Sequence, residues 1–291
     1  MPELPEVETI KLQLQKFLVG LPRGGAVRGH KIEKVQVNYP KIFIGDKNKA
    51  IGTRILGIRR FAKVLSIDLD NGFSIVIQIK LTGQLIYRGP DLSSKGQLSE
   101  KVTGGVPGKH THVIFYLDKG GILYYNDVRK FGRISVVKTK DVEKTGFVGK
   151  LGPEPFKDLT LDYFKDVLSK TSRAIKVVLM DQTKIGGVGN IYANDALWLA
   201  KINPKRPSLS LSPNEQKELY DAIHKVLKEG LKYGGASELA FVTPDGSEGN
   251  YQNHTLVYGR DGEFCDRCHK VKILKIFLGG RGTYFCPACQ R

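Results

Sequence analysis

The residues able to do chemistry lie at the two ends of the chain. All four cysteines fall within the last 27 residues, as Cys265-Asp-Arg-Cys268 and Cys286-Pro-Ala-Cys289, with 17 residues between the pairs. Two C-x-x-C pairs at that separation offer four thiolates to one tetrahedral Zn2+. Two disulfides or a redox dithiol are the alternative, but paired redox motifs in one short tail, with no other cysteine in the chain, are hard to motivate. The spacing therefore predicts one structural zinc held by Cys265, Cys268, Cys286 and Cys289. So short a ribbon cannot fold by burial alone, and the metal would supply its stability. Between the pairs, Val271–Phe277 alternates as a strand and Gly279-Gly280-Arg281-Gly282 makes a turn. Arg281 at a glycine-rich tip can reach a phosphate or simply stay solvated.

At the other end stands Met1-Pro2-Glu3-Leu4-Pro5-Glu6. Removal of Met1 before so small a residue would leave Pro2 with a free secondary amine. An α-amino group titrates near pH 8, so much of it is an unprotonated nucleophile at neutral pH. A secondary amine attacking a sugar C1′ gives an iminium ion, an electron sink that can expel a base, and adjacent Glu3 could move protons. On local sequence alone, Pro2 and Pro5 serve equally well to start a helix.

Three zones must position these ends. Leu4, Val7, Ile10, Leu14, Phe17 and Leu18 form a helical stripe. From about Lys31 to Lys138 short alternating runs such as Ile32–Val37, Val64–Leu69 and Phe73–Ile79 predict strands of a sandwich or barrel, with Asp70-Asn71-Gly72 as a hairpin signal. Gly89–Lys109 reads as a surface loop. After Gly152-Pro-Glu-Pro155 helices take over, over Leu161–Lys170, Ala174–Asp181 and Ile191–Ala200. A fourth opens at the capping box Ser212-Pro-Asn-Glu215 and stops at Gly234-Gly235. Gly186-Gly187-Val188-Gly189-Asn190 precedes a helix and makes either an anion site or a tight packing turn. Lys63 sits just before a strand, where a solvated base is ordinary. His110 and His112 lack acidic or thiol partners nearby in sequence, which argues against a metal there.

Lys plus Arg number 46 against 29 Asp plus Glu in 291 residues, a formal charge of +17. That balance points to a polyanionic partner, nucleic acid before an acidic membrane surface. No apolar run approaches the ~20 residues of a membrane span, and no signal segment opens the chain. The expected place of work is the cytoplasm, at the nucleoid.

Met1-Pro-Glu-Leu-Pro-Glu-Val-Glu8, Asn126-Asp-Val-Arg-Lys-Phe-Gly132, Gly187-Val-Gly-Asn-Ile-Tyr192 and the ribbon with Gly280-Arg-Gly-Thr283 together resemble the formamidopyrimidine-DNA glycosylase family. These bifunctional glycosylase/AP lyases act in base-excision repair, and the motifs run through the whole chain in family order. Leu4 favours the purine-lesion branch over the endonuclease VIII branch. The resemblance implies an α+β multidomain fold. It would comprise an N-terminal β-sandwich with flanking helices (1–145), a hinge (146–157), a helix–two-turn–helix domain with a lesion-capping loop (158–260) and a C-terminal zinc ribbon (261–291). It implies damaged double-stranded DNA as partner, a monomer, and no redox cofactor or catalytic metal. Pro2 would be the Schiff-base nucleophile and Glu3 the general acid/base. Lys63 would serve phosphate binding and β-elimination, and Arg281 phosphate binding and δ-elimination. Glu6 and Asn190 would support the site, and Lys176 and His110 would touch the DNA backbone. Arg129 and Phe131 would fill the hole left by a flipped base, with Leu81 as third wedge where the family has Met.

The chain departs from the family pattern at several positions. Gln78 stands where His is usual, Lys130 where a second Arg is usual, and Ser172 where a basic DNA contact is usual, for which Arg173 or Lys170 can substitute. Asp195 replaces a Glu, and the stretch from Gly235 to Gly249 differs at Glu238 and Ala240. The alternatives are therefore a related glycosylase/AP lyase preferring oxidised pyrimidines or abasic sites, or a non-catalytic DNA-binding protein.

Overall fold

The computed structural model describes residues 1–20, 29–90, 92 and 98–291, and these form two compact units. The first comprises Met1–Gly149 with Tyr233–Asn250, the second Lys150–Lys232 with Tyr251–Arg291. Part of the loop expected over Gly89–Lys109 lies outside the described residues.

Helix α1 (Leu4–Leu14) opens the first unit and buries Leu4, Val7, Ile10 and Leu14 along one stripe; a wider helical turn carries it on through Val19. Its start is fixed by a reciprocal capping box between Glu3 and Glu6. One antiparallel sheet runs in the order β1 (Ile32–Val37), β7 (Thr111–Leu117), β8 (Ile122–Asp127), β6 (Gly83–Arg88). The other runs β2 (Phe43–Ile44), β9 (Arg133–Lys138), β5 (Phe73–Gln78), β4 (Val64–Leu69), β3 (Ile55–Phe61). The strand periodicity buries Val35, Leu85, Phe115 and Tyr125 of the first sheet with Ile58, Leu65, Ile77 and Ile134 of the second, and α1 joins the same core. The result is a sandwich with its helix packed on the core. The expected hairpin at Asp70-Asn71-Gly72 joins β4 to β5, with Gly72 at φ +77°.

Residues 233–250, expected within the helical domain, fold instead into the first unit. Long-range bonds hold them there. Glu6 takes the Ala236 N–H at 2.8 Å, Arg88 donates to the Asp245 carbonyl at 2.9 Å and Gln84 to the Ala240 carbonyl at 2.7 Å.

The second unit holds α2 (Leu161–Ser169), α3 (Ile175–Leu179), α4 (Asn190–Leu199), α5 (Pro213–Lys232) and the hairpin β10 (Leu274–Leu278)–β11 (Arg281–Phe285). The Ser212/Glu215 box forms as expected, with Ser212 N–H to Glu215 Oε2 at 2.8 Å and Glu215 N–H to Ser212 Oγ at 3.3 Å. Helix α3 is shorter than its sequence pattern, because Asp181 takes the Thr183 N–H and hydroxyl and turns the chain. Fully buried Asp195 on α4 accepts from Tyr251 Oη and the Val257 and Tyr258 N–H groups at 2.9–3.2 Å. It thereby ties the approach to the ribbon onto the helix. Among the described residues no helix is long and apolar enough to cross a membrane.

Candidate active site and metal centre

Pro2 is buried directly before α1, and Glu3, its N-cap, is only 3% exposed. The Glu6 carboxylate, 1% exposed, is shared between two backbone donors. Oε2 takes the Glu3 N–H at 2.6 Å and Oε1 the Ala236 N–H at 2.8 Å. Glu6 therefore fixes the residue next to Pro2 and the neck of the 233–250 segment at once. Gly235 (φ +87°) must be glycine here, since a Cβ would lie 2.8 Å from Glu6 Cγ.

Lys63 lies in the two-residue turn between Phe61 of β3 and Val64 of β4, yet it is 9% exposed. A lysine at a hairpin tip is normally solvated, so its burial singles it out. The turn is tied to α1. Arg60 Nε donates to Glu8 Oε2 at 2.6 Å, and its Nη1 holds the Ala62 carbonyl at 3.1 Å. Burial raises the Glu8 carboxyl, but hydrogen bonds from Lys11 and Arg60 outweigh it and hold the group below its ordinary value. Arg60 and Glu8 form a tie between this turn and α1 that the sequence alone did not disclose.

A second cluster is organised by Asp127, which is fully buried at the end of β8. Its Oδ1 takes the Thr82 hydroxyl at 2.5 Å and the Arg129 N–H at 3.2 Å, and its Oδ2 takes the Gly132 N–H at 2.8 Å. One carboxylate thus shapes the loop 128–132 and joins it to the turn containing Leu81. Arg129 and Phe131 are exposed on that loop, with the guanidinium 4.7 Å from the ring centroid. Leu81 is half-buried in the turn between β5 and β6 rather than in a strand. His110 joins this cluster through its carbonyl, which accepts the Asp127 N–H at 3.0 Å. Slight desolvation and the charge of Lys109 lower the His110 pKa. His112 is buried, with Nε2 2.8 Å from the Asp127 carbonyl. Of this set Arg129, Phe131, Leu81 and His110 were legible in the sequence; Asp127 and Thr82 were missed because their contact joins the end of β8 to a turn 45 residues back.

In the second unit the Gly282 carbonyl is the meeting point. Lys176 Nζ donates to it at 2.8 Å and to Thr283 Oγ1 at 2.7 Å, and Asn190 Nδ2 donates to the same carbonyl at 3.1 Å. Lys176 is fully buried, so it reaches the ribbon hairpin rather than solvent. Gly279 and Gly280 take φ +57° and +72°, the backbone of a two-residue hairpin turn. Arg281 is the exposed first residue of β11, directly after that turn. Arg173 is exposed, and its guanidinium pairs with Asp181 at 3.1 Å.

Cys265, Cys268, Cys286 and Cys289 bring their sulfurs within 4.8 Å of one another, at 3.9 Å for Cys265–Cys289 and 3.8 Å for Cys268–Cys286. These separations exclude disulfides, which need about 2.05 Å. They fit a tetrahedral thiolate site, whose sulfurs stand about 3.8 Å apart at a metal–sulfur distance of ~2.3 Å. Backbone N–H groups of Lys270 and Val271 pull the Cys268 thiol down to about 6, while burial and the neighbouring sulfurs push Cys289 up to about 12. Trp198 Nε1 donates to Cys265 Sγ at 3.3 Å, and Arg267 lies 4.0 Å over the indole. The four-cysteine group can hold a metal and fits a zinc finger.

Comparison with known proteins agrees with this architecture. Residues 1–134 match the model of the formamidopyrimidine-DNA glycosylase N-terminal domain, and residues 151–241 that of its H2TH domain. The chain is 39% identical over 298 residues to the formamidopyrimidine-DNA glycosylase of Pelotomaculum thermopropionicum, covering 100% of this chain and 99% of the relative. Among solved structures it resembles wild-type Lactococcus lactis Fpg bound to DNA containing an oxidised pyrimidine, with a TM-score of 0.83 and 35% identity over the full length of both chains. It also resembles the same wild-type protein bound to DNA containing N7-benzyl-Fapy-dG, with a TM-score of 0.84, 34% identity and full coverage of both chains. With both domains matched and homology running from end to end, the chain belongs to the formamidopyrimidine-DNA glycosylase family.

Proposed function

We propose that this protein is a base-excision-repair DNA glycosylase and AP lyase. It would excise oxidised or ring-opened purines, 8-oxoguanine and formamidopyrimidines, from double-stranded DNA. The observation that carries the reading is the buried N-terminal site, where Pro2 precedes a Glu3–Glu6 capping box in a chain of this family. After removal of Met1, the Pro2 amine attacks C1′ as the C1′–N bond to the base breaks, and the departing base takes up a proton; the attacking nitrogen gives up its own proton, and the C1′–O4′ bond then opens, O4′ taking a proton, to leave the iminium. Glu3 moves protons at the sugar. The resulting iminium makes a C2′ proton acidic; its loss expels the 3′ phosphate, and loss of a C4′ proton then expels the 5′ phosphate. Water finally hydrolyses the imine. Lys63 and Arg281 hold the phosphates for the first and second eliminations, Asn190, Arg173 and His110 secure the backbone, and buried Lys176 acts only through the hairpin that it braces at the Gly282 carbonyl. Arg129, Phe131 and Leu81 occupy the gap left by the flipped nucleotide. The four cysteines hold one structural Zn2+, which when bound fixes the ribbon and so the hairpin that carries Arg281. The protein acts as a monomer in the cytoplasm, at the nucleoid.

A preference for oxidised pyrimidines is the second reading. It is favoured by Leu81 at the wedge position and by a similar protein having been captured with such a lesion. Borohydride trapping on duplexes bearing 8-oxoguanine, thymine glycol, an abasic site or no lesion tests both. An adduct on 8-oxoguanine that disappears in Pro2→Gly, or when intact mass shows Met1 retained, supports the first reading. Trapping only on thymine glycol or the abasic site supports the second. Trapping on none, with Met1 removed, leaves a DNA-binding protein.

A further inference from the structure

We propose that Lys101 is a positioning residue for the N-terminal site, acting through the segment 233–250; this rests on the assignment of Pro2 as nucleophile. The Lys101 ammonium donates to the Ser237 carbonyl at 2.5 Å and to Glu248 Oε2, while Glu248 Oε1 takes the Ser99 hydroxyl at 2.6 Å. It therefore grips the segment at both ends. Ser237 closes the loop from inside, since its Oγ donates to the Phe241 carbonyl and accepts the Gly249 N–H, both at 2.9 Å.

The grip is anchored to the sandwich. Gln84 on β6 donates to the Lys101 carbonyl at 2.8 Å and to the Ala240 carbonyl at 2.7 Å. Val102 and Val242 are buried together against Ile86, Ile114 and Tyr124. At the neck, the residue before Ser237 is Ala236, whose N–H occupies Glu6 Oε1; the other Glu6 oxygen holds the Glu3 N–H. A continuous set of bonds thus runs from the Lys101 ammonium through the Ser237 and Ala236 peptides and the Glu6 carboxylate to the residue beside Pro2. Loss of the ammonium removes its hold on the Ser237 carbonyl, loosens the Ala236 donor and lets the Glu6 carboxylate turn. The N-terminal amine then has no fixed pose from which to attack.

The test compares wild type with Lys101→Met and Lys101→Arg. Three quantities are read: hydrogen exchange at the Ala236 amide in the free protein, the single-turnover rate of borohydride-trappable imine on an abasic-site duplex, and affinity with its salt slope for a duplex carrying a tetrahydrofuran abasic analogue. Losing a charge-assisted bond in this partly buried position predicts that Lys101→Met exchanges Ala236 about tenfold faster and forms imine about tenfold more slowly. Affinity and salt slope stay within about twofold, and Lys101→Arg restores both rates. Unchanged Ala236 exchange overturns the proposal. So does a rate loss matched by weaker binding and a shallower salt slope, which would make Lys101 a phosphate contact. If wild type itself forms no imine, the catalytic assignment falls instead, and the Ala236 exchange still reports whether Lys101 holds the neck.

Discussion

Asp127→Asn isolates the group that shapes the loop bearing Arg129 and Phe131. The carboxylate is fully buried, with Oδ1 facing the Thr82 hydroxyl and Arg129 N–H and Oδ2 facing the Gly132 N–H. Asparagine keeps the volume but turns one oxygen into an NH2 donor, so in either orientation a donor confronts a donor. A hydrogen bond to a charged group contributes about 1.5–3 kcal/mol, and a buried donor left unpaired costs about 1–3 kcal/mol. A loss of about 2–4 kcal/mol is therefore expected, large against a typical total of about 5–15 kcal/mol. A chain of two units need not unfold in one step, so the urea midpoint is paired with hydrogen exchange at the Gly132 amide. Imine formation is then followed on 8-oxoguanine and on an abasic-site duplex. Only the first requires a base to be extruded and the gap filled, so its rate falls further than that of the second. A stability change within about 0.5 kcal/mol, the range of an ordinary surface substitution, would refute the assignment of Asp127 as organiser. Equal rate losses on both substrates would refute the link from this loop to base extrusion.

Gly132→Ala places a Cβ 1.6 Å from Tyr125 Oη, so overpacking should destabilise the protein by about 3 kcal/mol or more. The double variant with Tyr125→Phe should recover part of that loss in urea unfolding. Chelation of the metal should change the emission of Trp198, the single tryptophan, whose N–H meets Cys265 Sγ, and Zn2+ should restore it; unchanged emission on metal loss would contradict the coupling. Burial raises Asp195 from its ordinary 3.8 to about 6, although backbone N–H groups and Tyr251 oppose it. The folded chain then binds more protons than the unfolded one between about pH 4 and 6, so stability falls as pH rises through that window and levels off above it. Asp195→Asn should lack this fall, and the difference between the two stability–pH curves is on the order of 3 kcal/mol.

How much of the site was legible depended on the range of the interaction that makes it. The four cysteines and the Ser212/Glu215 cap are read from spacing because their partners are near in sequence or periodic. The strands are read because both sheets bury alternate residues in one core. The Glu6–Ala236 bond joins positions 230 residues apart, and no local pattern foretells that residues 233–250 fold with the first unit. Asp127 shows the same limit: its partner Gly132 is five residues away, but Thr82 lies on another turn, 45 residues back.

The buried cations carry this argument furthest. Local sequence makes Lys63 a solvated base, and the family pattern makes Lys176 a backbone contact, yet both are buried. A lysine loses hydration on burial and persists only where its donors are satisfied. The Lys176 ammonium donates to the Gly282 carbonyl and Thr283 Oγ1, while Asn190 from α4 grips the same carbonyl. Two helices thus hold the strand that begins at Arg281, one residue from the guanidinium. The ribbon contributes a hairpin beside a four-cysteine group that can hold a metal, the helices hold its Gly282 carbonyl, and the arginine is left exposed. A rigid cation beside a tight glycine turn follows from that division, and it suits the phosphate contact proposed for Arg281.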